Sequence, residues 1–507
     1  MANVFLLQSF INPKQEPSKS KLKMLFYLHR AKIYKKLLRS FLFLSLILTA
    51  TLSFAQKTWT LEECISYAKE NNISVKKAQL TQQLSEYSVL QSKMNFFPSV
   101  NASTGYYFNY GKTIDPTSNL FVTQNTQTNT LSLSASVGLF NGLQRWNTLK
   151  QSQFDLLASQ ANTENTVNNV LLFVVGGFLN IVYAKENLQI TQDQLQLAQD
   201  QLGRTKKLVD AGALTQGSQY DIEAQEALSE VAKVTAQNNL DIAKLNLAQL
   251  LNLNEPVDVA VAPINMTTEL SQMNQTMEGI YSIALTTQPS IRGADYQLKS
   301  AQKGVDIARG RLYPSLSMFG SLTTNYSNLY KNYSLDSSDI TTFPIGFLST
   351  DLTPVYTTQF GFITNDVPLG RQYNDNFGQA FGFSLDIPIF NNWQNRNNVS
   401  RSKINVLDAQ YNLESAKQQL LKDVQSAYAD AVAAKNSYEA SLKAVTSLQK
   451  SFDDAQKKFD VGLITSLDFT TIKTNFNKAQ SDLLQAKYQY IFKLKVLDFY
   501  QGKPITL

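Results

Sequence analysis

Histidine occurs once in the 507 residues, at His29, and cysteine once, at Cys64. His29 falls inside a stretch that reads as a secretory signal peptide over residues 1–55. Lys32, Lys35, Lys36 and Arg39 form its basic region, "FLFLSLILTA" (41–50) its apolar region, and Ser53 and Ala55 the small residues before the cut. The polar segment 1–23 adds nothing to a signal, and the true start is expected at Met24. A processed chain with no histidine and one cysteine cannot build a Ser-His-Asp or Cys-His centre, a Cys/His zinc site or a disulfide, and no cofactor is expected. Cys64 is expected to pack on a helix, since "LEE" before it is no lipid-attachment signal. The side chains left with chemistry to offer are carboxylates. Among them Asp453 and Asp454 lie within two helical turns of the glycine turn "FDVGLITSLD" (459–468). Phe452 and Ala455 occupy a packing seam beside them, so at least one Asp should face away from it. An acidic pair so placed can concentrate cations or hold a divalent one; a solvated patch beside Lys457 and Lys458 is the plainer reading.

Removal of 1–55 takes away nine basic residues and one acidic one, leaving 37 against 39, a net charge of −2. The basic balance of the full chain therefore belongs to the leader and gives no support to a nucleic-acid partner.

The elements that must position Asp453 and Asp454 occur twice. The turn at 459–468 recurs as "VDAGALTQGS" (209–218), pairing Asp210 with Asp460, Gly212 with Gly462 and Thr215 with Thr465. The offset of 250 residues also relates Phe140-Asn141 to Phe390-Asn391 and Gln144 to Gln394. Farther upstream the offset is 216, relating Pro98-Ser99 to Pro314-Ser315. The jump of 34 residues places one long insertion between Pro314 and Phe390, as a surface loop would.

Short runs in each copy alternate with period two. In "LSLSASVGL" (131–139) Leu131, Leu133, Ala135, Val137 and Leu139 share a face; in "FGFSLDIPI" (381–389) Phe381, Phe383, Leu385, Ile387 and Ile389 do. Val100, Ala102, Tyr106 and Phe108, and Leu316, Met318, Leu322 and Tyr326, supply two more. Four strands, about 98–111, 128–140, 314–327 and 377–390, each with one apolar face, suit a transmembrane β-barrel, with a soluble antiparallel sheet as the alternative. The rest reads helical, in hairpins over about 142–251 and 391–497. From 391 to 461 there is neither Gly nor Pro. The seam Val445, Leu448, Phe452, Ala455, Phe459 steps 3-4-3-4, as do Phe469, Ile472, Phe476, Ala479, Leu483 after the turn and Leu195, Ala198, Leu202, Thr205, Val209 in the first copy. The apolar run 170–183 is expected to be packed helix. Gly212 and Gly462 can end the incoming helices, and Ser218, and Thr465 or Ser466, can cap the returning ones.

This plan divides the processed chain into a first repeat (56–255), a linker (256–276) and a second repeat (277–507). It resembles the TolC family of outer-membrane efflux channels over about 56–500. The pieces that carry the resemblance are "NFFPSVNAS" and "RLYPSLSMF" (helix into strand), "VGLFNGL" and "IPIFNNW" (strand into long helix), and "VGLITSLDF" at the turn. "NNW" departs from the glycines usual there. The resemblance implies a mainly α fold with a β-barrel portion: a homotrimer with a 12-stranded barrel in the outer-membrane lipid of a Gram-negative bacterium and a helical tunnel through the periplasm. It implies a passive exit duct, not an enzyme, served by a periplasmic adaptor and an inner-membrane transporter in an efflux or type I secretion system. It places adaptor contacts at Ala211, Gly212, Ala213 and Leu214 and at Val461, Gly462, Leu463 and Ile464, and an acidic ring at Asp453, with Asp454 beside it, at the narrowed mouth. The loops 112–127 and 328–376 would then lie outside the cell. A periplasmic adaptor or a structural coiled-coil envelope protein is the alternative; duplicated strands count against both.

Overall fold

The computed structural model describes residues 58–114, 119–260 and 275–503. The leader, the start at Met24 and most of the 256–276 linker lie outside the described residues. In chain order the elements of the first half are β1 (Thr58–Trp59), α1 (Leu61–Asn71), α2 (Ile73–Met94), β2 (Ser99–Asn109), β3 (Lys112–Ile114), β4 (Phe121–Thr123), β5 (Thr126–Asn141), α3 (Gln144–Asp210) and α4 (Gln216–Leu251). There follow β6 (Asp258–Val259), α5 (Met277–Thr287), α6 (Pro289–Gly310), β7 (Ser315–Ser327), β8 (Lys331–Phe347) and β9 (Pro354–Asp366). The chain ends with α7 (Leu369–Asp375), β10 (Gly378–Asp386), α8 (Gln394–Asp460) and α9 (Ser466–Tyr500). One small unit pairs β1 with β6 in parallel, Thr58 against Asp258 and Trp59 against Val259. The other holds the remaining elements.

In this second unit α1 and α2 correspond to α5 and α6 residue for residue at an offset of 216, and α3 to α8 at 250, both of the latter 67 residues long. At 1.5 Å per residue each of these two helices is roughly 100 Å long. Both start after two consecutive left-handed residues, Gly142 (φ 61°) and Leu143 (φ 61°) in the first copy, Asn392 (φ 53°) and Trp393 (φ 67°) in the second. The "NNW" departure therefore keeps the same backbone turn: Asn tolerates this region, and the Arg396 guanidinium lies 4.5 Å from the Trp393 ring. In the first copy the glycine is required for a second reason, because a Cβ on Gly142 would overlap the carbonyl oxygen of Gly310.

Strands β10, β7, β5 and β2 form one antiparallel sheet in that order. The registers put Leu131, Leu133, Leu322, Met318, Phe381 and Phe383 on one face, all but Met318 exposed. The other face is a ladder of small polar groups: the hydroxyls of Ser103 and Ser132 are 2.7 Å apart and those of Ser99 and Ser136 3.1 Å. Two glycines on this polar face lie under aromatic rings, Gly105 beneath Tyr107 and Gly382 beneath Phe319. Among the described residues no strand pairs with the outer edge of β2 or of β10. Strand β10 stops at Asp386, short of the expected 390, with Pro388, which has no N–H for a ladder, two residues beyond.

The insertion is itself folded. Strands β8 and β9 pair as a long hairpin, and α7 returns the chain to β10. The buried Gln372 of α7 accepts from the Ser327 backbone N–H (2.9 Å) and donates to the Val367 carbonyl (2.8 Å), and Thr324 Oγ1 donates to the Tyr373 carbonyl (2.7 Å). The 112–127 segment likewise carries the β3–β4 pair.

Helix α6 packs against both α3 and α8, and α2 against α3. The apolar run 170–183 is packed helix: Val174, Val175, Phe178, Leu179, Ile181 and Val182 are buried. Cys64 is fully buried on α1.

Candidate functional site

The two hairpin turns have one construction. Gly212 (φ 75°) and Gly462 (φ 76°) sit in the left-handed region, where a residue without a Cβ is favoured. The next residue closes each helix: Ala213 N–H donates to the Leu208 carbonyl and Leu463 N–H to the Lys458 carbonyl, both at 2.8 Å. The returning helices are capped by Thr215, accepting from Ser218 N–H at 3.4 Å, and Thr465, accepting from Asp468 N–H at 3.1 Å. Ser218 is thus the capped residue, not the expected cap, because the extended backbone that a cap needs falls at Thr215 (ψ 154°). Ser466 caps nothing. Its hydroxyl donates to Asp221 Oδ2 of α4 at 2.8 Å and ties the two hairpins together.

At the tips, Ala211, Gly212, Ala213, Val461, Gly462 and Leu463 are exposed. Leu214 is half-buried, and so is Ile464, which packs against the cluster of Phe452, Ala455, Phe459, Phe469 and Phe476. In that cluster Phe459 stacks on Phe469 (4.6 Å between centroids) and Phe452 on Phe476 (5.3 Å), holding the α8–α9 hairpin shut down to its turn. The first hairpin has Leu195, Ala198 and Thr205 on its buried stripe and no such rings.

Asp453 and Asp454 are both exposed, on the flank of α8 away from this cluster. They are not equivalent. Asp454 forms an ion pair with Lys458 at 2.7 Å, whereas Asp453 accepts from the neutral Gln449 amide at 2.8 Å. Their counterparts in the first copy are Gly203 and Arg204.

The sequence did not announce a chain of polar groups that crosses three helices just above the turns. Lys473 of α9, 1% exposed, donates from Nζ to Gln201 Oε1 on α3 (2.8 Å). Gln201 Nε2 donates to Gln456 Oε1 on α8 (3.0 Å), Gln456 Nε2 to Asp460 Oδ1 (3.0 Å), and Arg204 of α3 pairs with the same Asp460 oxygen at 2.9 Å. Desolvation pushes the Lys473 ammonium down to about 8. The 4-3 step Phe469, Lys473, Phe476 is compatible with the buried stripe, but Ile472 beside it already fills the 3-4 seam, so the spacing alone does not bury the lysine.

A sheet that is apolar on one face and polar on the other, with edges unpaired among the described residues, joined to helices of about 100 Å, defines the class of membrane-spanning channel proteins. The chain belongs to the outer membrane efflux protein family, whose profile matches residues 64–253 and 280–502. The protein is an outer-membrane efflux channel of the TolC type, from a family of ducts and not of enzymes. It is 23% identical over 471 residues to the outer membrane protein TolC of Vibrio cholerae, covering 92% of this chain and 95% of the relative. With TolC of Escherichia coli it shares 23% over 369 residues, 72% of this chain and 68% of the relative. Its fold matches that of CusC with a TM-score of 0.71 at 19% identity, over 88% of this chain and 92% of CusC. It also matches the open state of the Neisseria gonorrhoeae MtrE outer membrane channel, with 0.68 at 20% identity over 87% and 89%.

Proposed function

We propose that three copies of this chain close a 12-stranded barrel in the outer membrane and that the helices continue it as a tunnel, through which cargo passes without chemistry. The observation that carries this reading is the pair of bare edges on β2 and β10. In lipid an unpaired strand edge leaves N–H and C=O groups with no partner at a cost of several kcal/mol each, so the β10 edge of one copy takes the β2 edge of the next. The hydroxyl-lined face then lines the pore and the Leu131–Phe381 face meets lipid. The exposed stripes on α2 (Leu80, Leu84, Tyr87) and α8 (Ile404, Leu407, Tyr411) supply apolar faces for helix packing between copies.

On this reading the duct receives cargo from an inner-membrane transporter through a periplasmic adaptor that meets the exposed turns, Ala211–Ala213 and Val461–Leu463, with Leu214 and Ile464 supporting them from beneath. Asp453 supplies the negative charge at the narrowed mouth. Mass measurement in mild detergent should give three chains per particle, and the purified particle should conduct ions in a planar bilayer. A single chain with full β content, or a trimer that does not conduct, would exclude it.

A further inference from the structure

The β8–β9 hairpin has two unlike faces. Its register sets Leu335 opposite Phe362 and Ile340 opposite Phe360, with Tyr333 on the same side, while Asn332, Ser334, Asp336, Thr341, Thr357 and Gln359 alternate onto the other, which carries only Ile363, Phe343 and Val355 as larger apolar groups. Tyr333, Leu335 and Phe362 are more than 60% exposed, and Ile340 and Phe360 are exposed as well. Exposed apolar side chains grouped in this way mark an interaction surface, and no other described segment covers them. A second exposed apolar group stands on the β3–β4 hairpin, where Phe121 lies opposite Ile114, with Leu120 and Tyr110 beside them.

Each hairpin has one root at a bare edge of the same end of the sheet, β2 for β3–β4 and β10 for β8–β9, and its other root on an inner strand, β5 or β7, where Gln127 and Asn328 exchange hydrogen bonds. Strand β2 runs out at Asn109 and enters β3 at Lys112; the β8–β9 hairpin returns through α7 into β10 at Gly378. The Asn109 end of β2 and the Gly378 end of β10 are at the same end of the sheet, on its two edges, since β7 pairs its last residues with the Thr128 end of β5 and its Thr323 with Gly378. Resting on the assembly proposed above, we infer that the apolar face of each β8–β9 hairpin docks on the β3–β4 hairpin of the neighbouring copy, so that the outer ends of the three subunits interlock above the barrel. Joining β10 to the next β2 brings the roots of these two hairpins side by side three times around the ring. Aromatic side chains bury about 150–250 Å² each. Three on one face and two on the other therefore give an area on the order of 1,000 Å² per junction, the scale of a specific contact.

A cysteine pair tests this. The native Cys64 is buried, so Leu335→Cys with Phe121→Cys, treated with a short bis-maleimide in outer-membrane vesicles, should give covalent dimers and trimers on denaturing gels, with neither single variant doing so. Ladders from Leu335→Cys alone would show the hairpins meeting one another, a link within one chain would show an internal contact, and quenching of a Leu335→Cys fluorophore by nitroxide lipids would show lipid on this face; each overturns the inference. The same preparation is weighed in mild detergent. Three chains without the cross-link overturn the interlock alone, and a single chain overturns the assembly with it. Leu335→Lys with Phe362→Lys, on side chains that touch nothing in one subunit's core, should shorten the life of the trimer in warm detergent without changing the monomer's helix content; an unchanged life also overturns the interlock.

Discussion

The Nζ of Lys473 donates to Oε1 of Gln201 at 2.8 Å with both residues buried, and through Gln456 and Asp460 this bond links α9, α3 and α8 just above the hairpin turns. A cation held in so dry a place is costly, and its proton leaves at about 8 in place of 10.5. Between these values the unfolded chain carries a proton that the folded chain has released, so stability rises with pH across that window and is flat below it. Arg204, Asp460 and Asp221 face the same region. The thermal midpoint of the helical signal should climb from pH 8 toward 10.5, and Lys473→Met should abolish the climb. A climb of equal size in Lys473→Met would assign it to another group.

Glycine positions in the two turns and at the strand-to-helix junction should respond differently to alanine. At Gly462 an added Cβ meets nothing within 4 Å, so Gly462→Ala carries only the left-handed backbone strain of about 1–2 kcal/mol. At Gly142 the same strain is joined by overlap with the Gly310 carbonyl. Gly142→Ala should therefore lower the unfolding midpoint well beyond Gly462→Ala and reduce assembled protein. Equal effects would mean that α6 yields freely at this contact.

These two sites show what the sequence could and could not reveal. The glycine turns, the seam Phe452, Ala455, Phe459 and the strand alternation at Leu131–Leu139 were legible because each depends on local conformation and period. Lys473 was not, because its burial is decided by α3, which reaches α9 across 272 residues of sequence from Gln201. A lysine beside Ile472 otherwise reads as a solvated flank. The β8–β9 hairpin was hidden by its own register shifts between Asp336 and Ile340 and between Pro344 and Gly346, which break the alternation that betrays a strand.

Exposed apolar tips make a further prediction. Leu463 and Ala213 occupy matching places one residue past the glycines, and both are exposed. Leu463→Glu with Ala213→Glu should leave fold, the proposed trimer and single-channel conductance intact, since neither side chain supports the hairpin. Efflux in cells should nevertheless fall to the level of a strain without the channel, because an adaptor surface shaped for small apolar tips meets two carboxylates per subunit. Efflux at the level of the unaltered protein would place the adaptor contact elsewhere.

The carboxylates on α8 predict a difference between neighbours. Lys458 offsets Asp454 at 2.7 Å, while Asp453 is held by a neutral amide. The first copy offers Gly203 at the matching position, so a ring around the proposed mouth contains three such groups and not six. Three carboxylates at a constriction favour cations and offer oxygen ligands to a divalent ion. Asp453→Ala should therefore lower the cation preference of single channels and weaken block by divalent cations added from the periplasmic side. Asp454→Ala should do much less, since it removes a charge already paired and leaves Lys458 free to swing away. Equal effects of the two substitutions would show that the Lys458 pair does not persist in the assembled channel, and no effect of either would place both carboxylates on the outer surface of the helical tube.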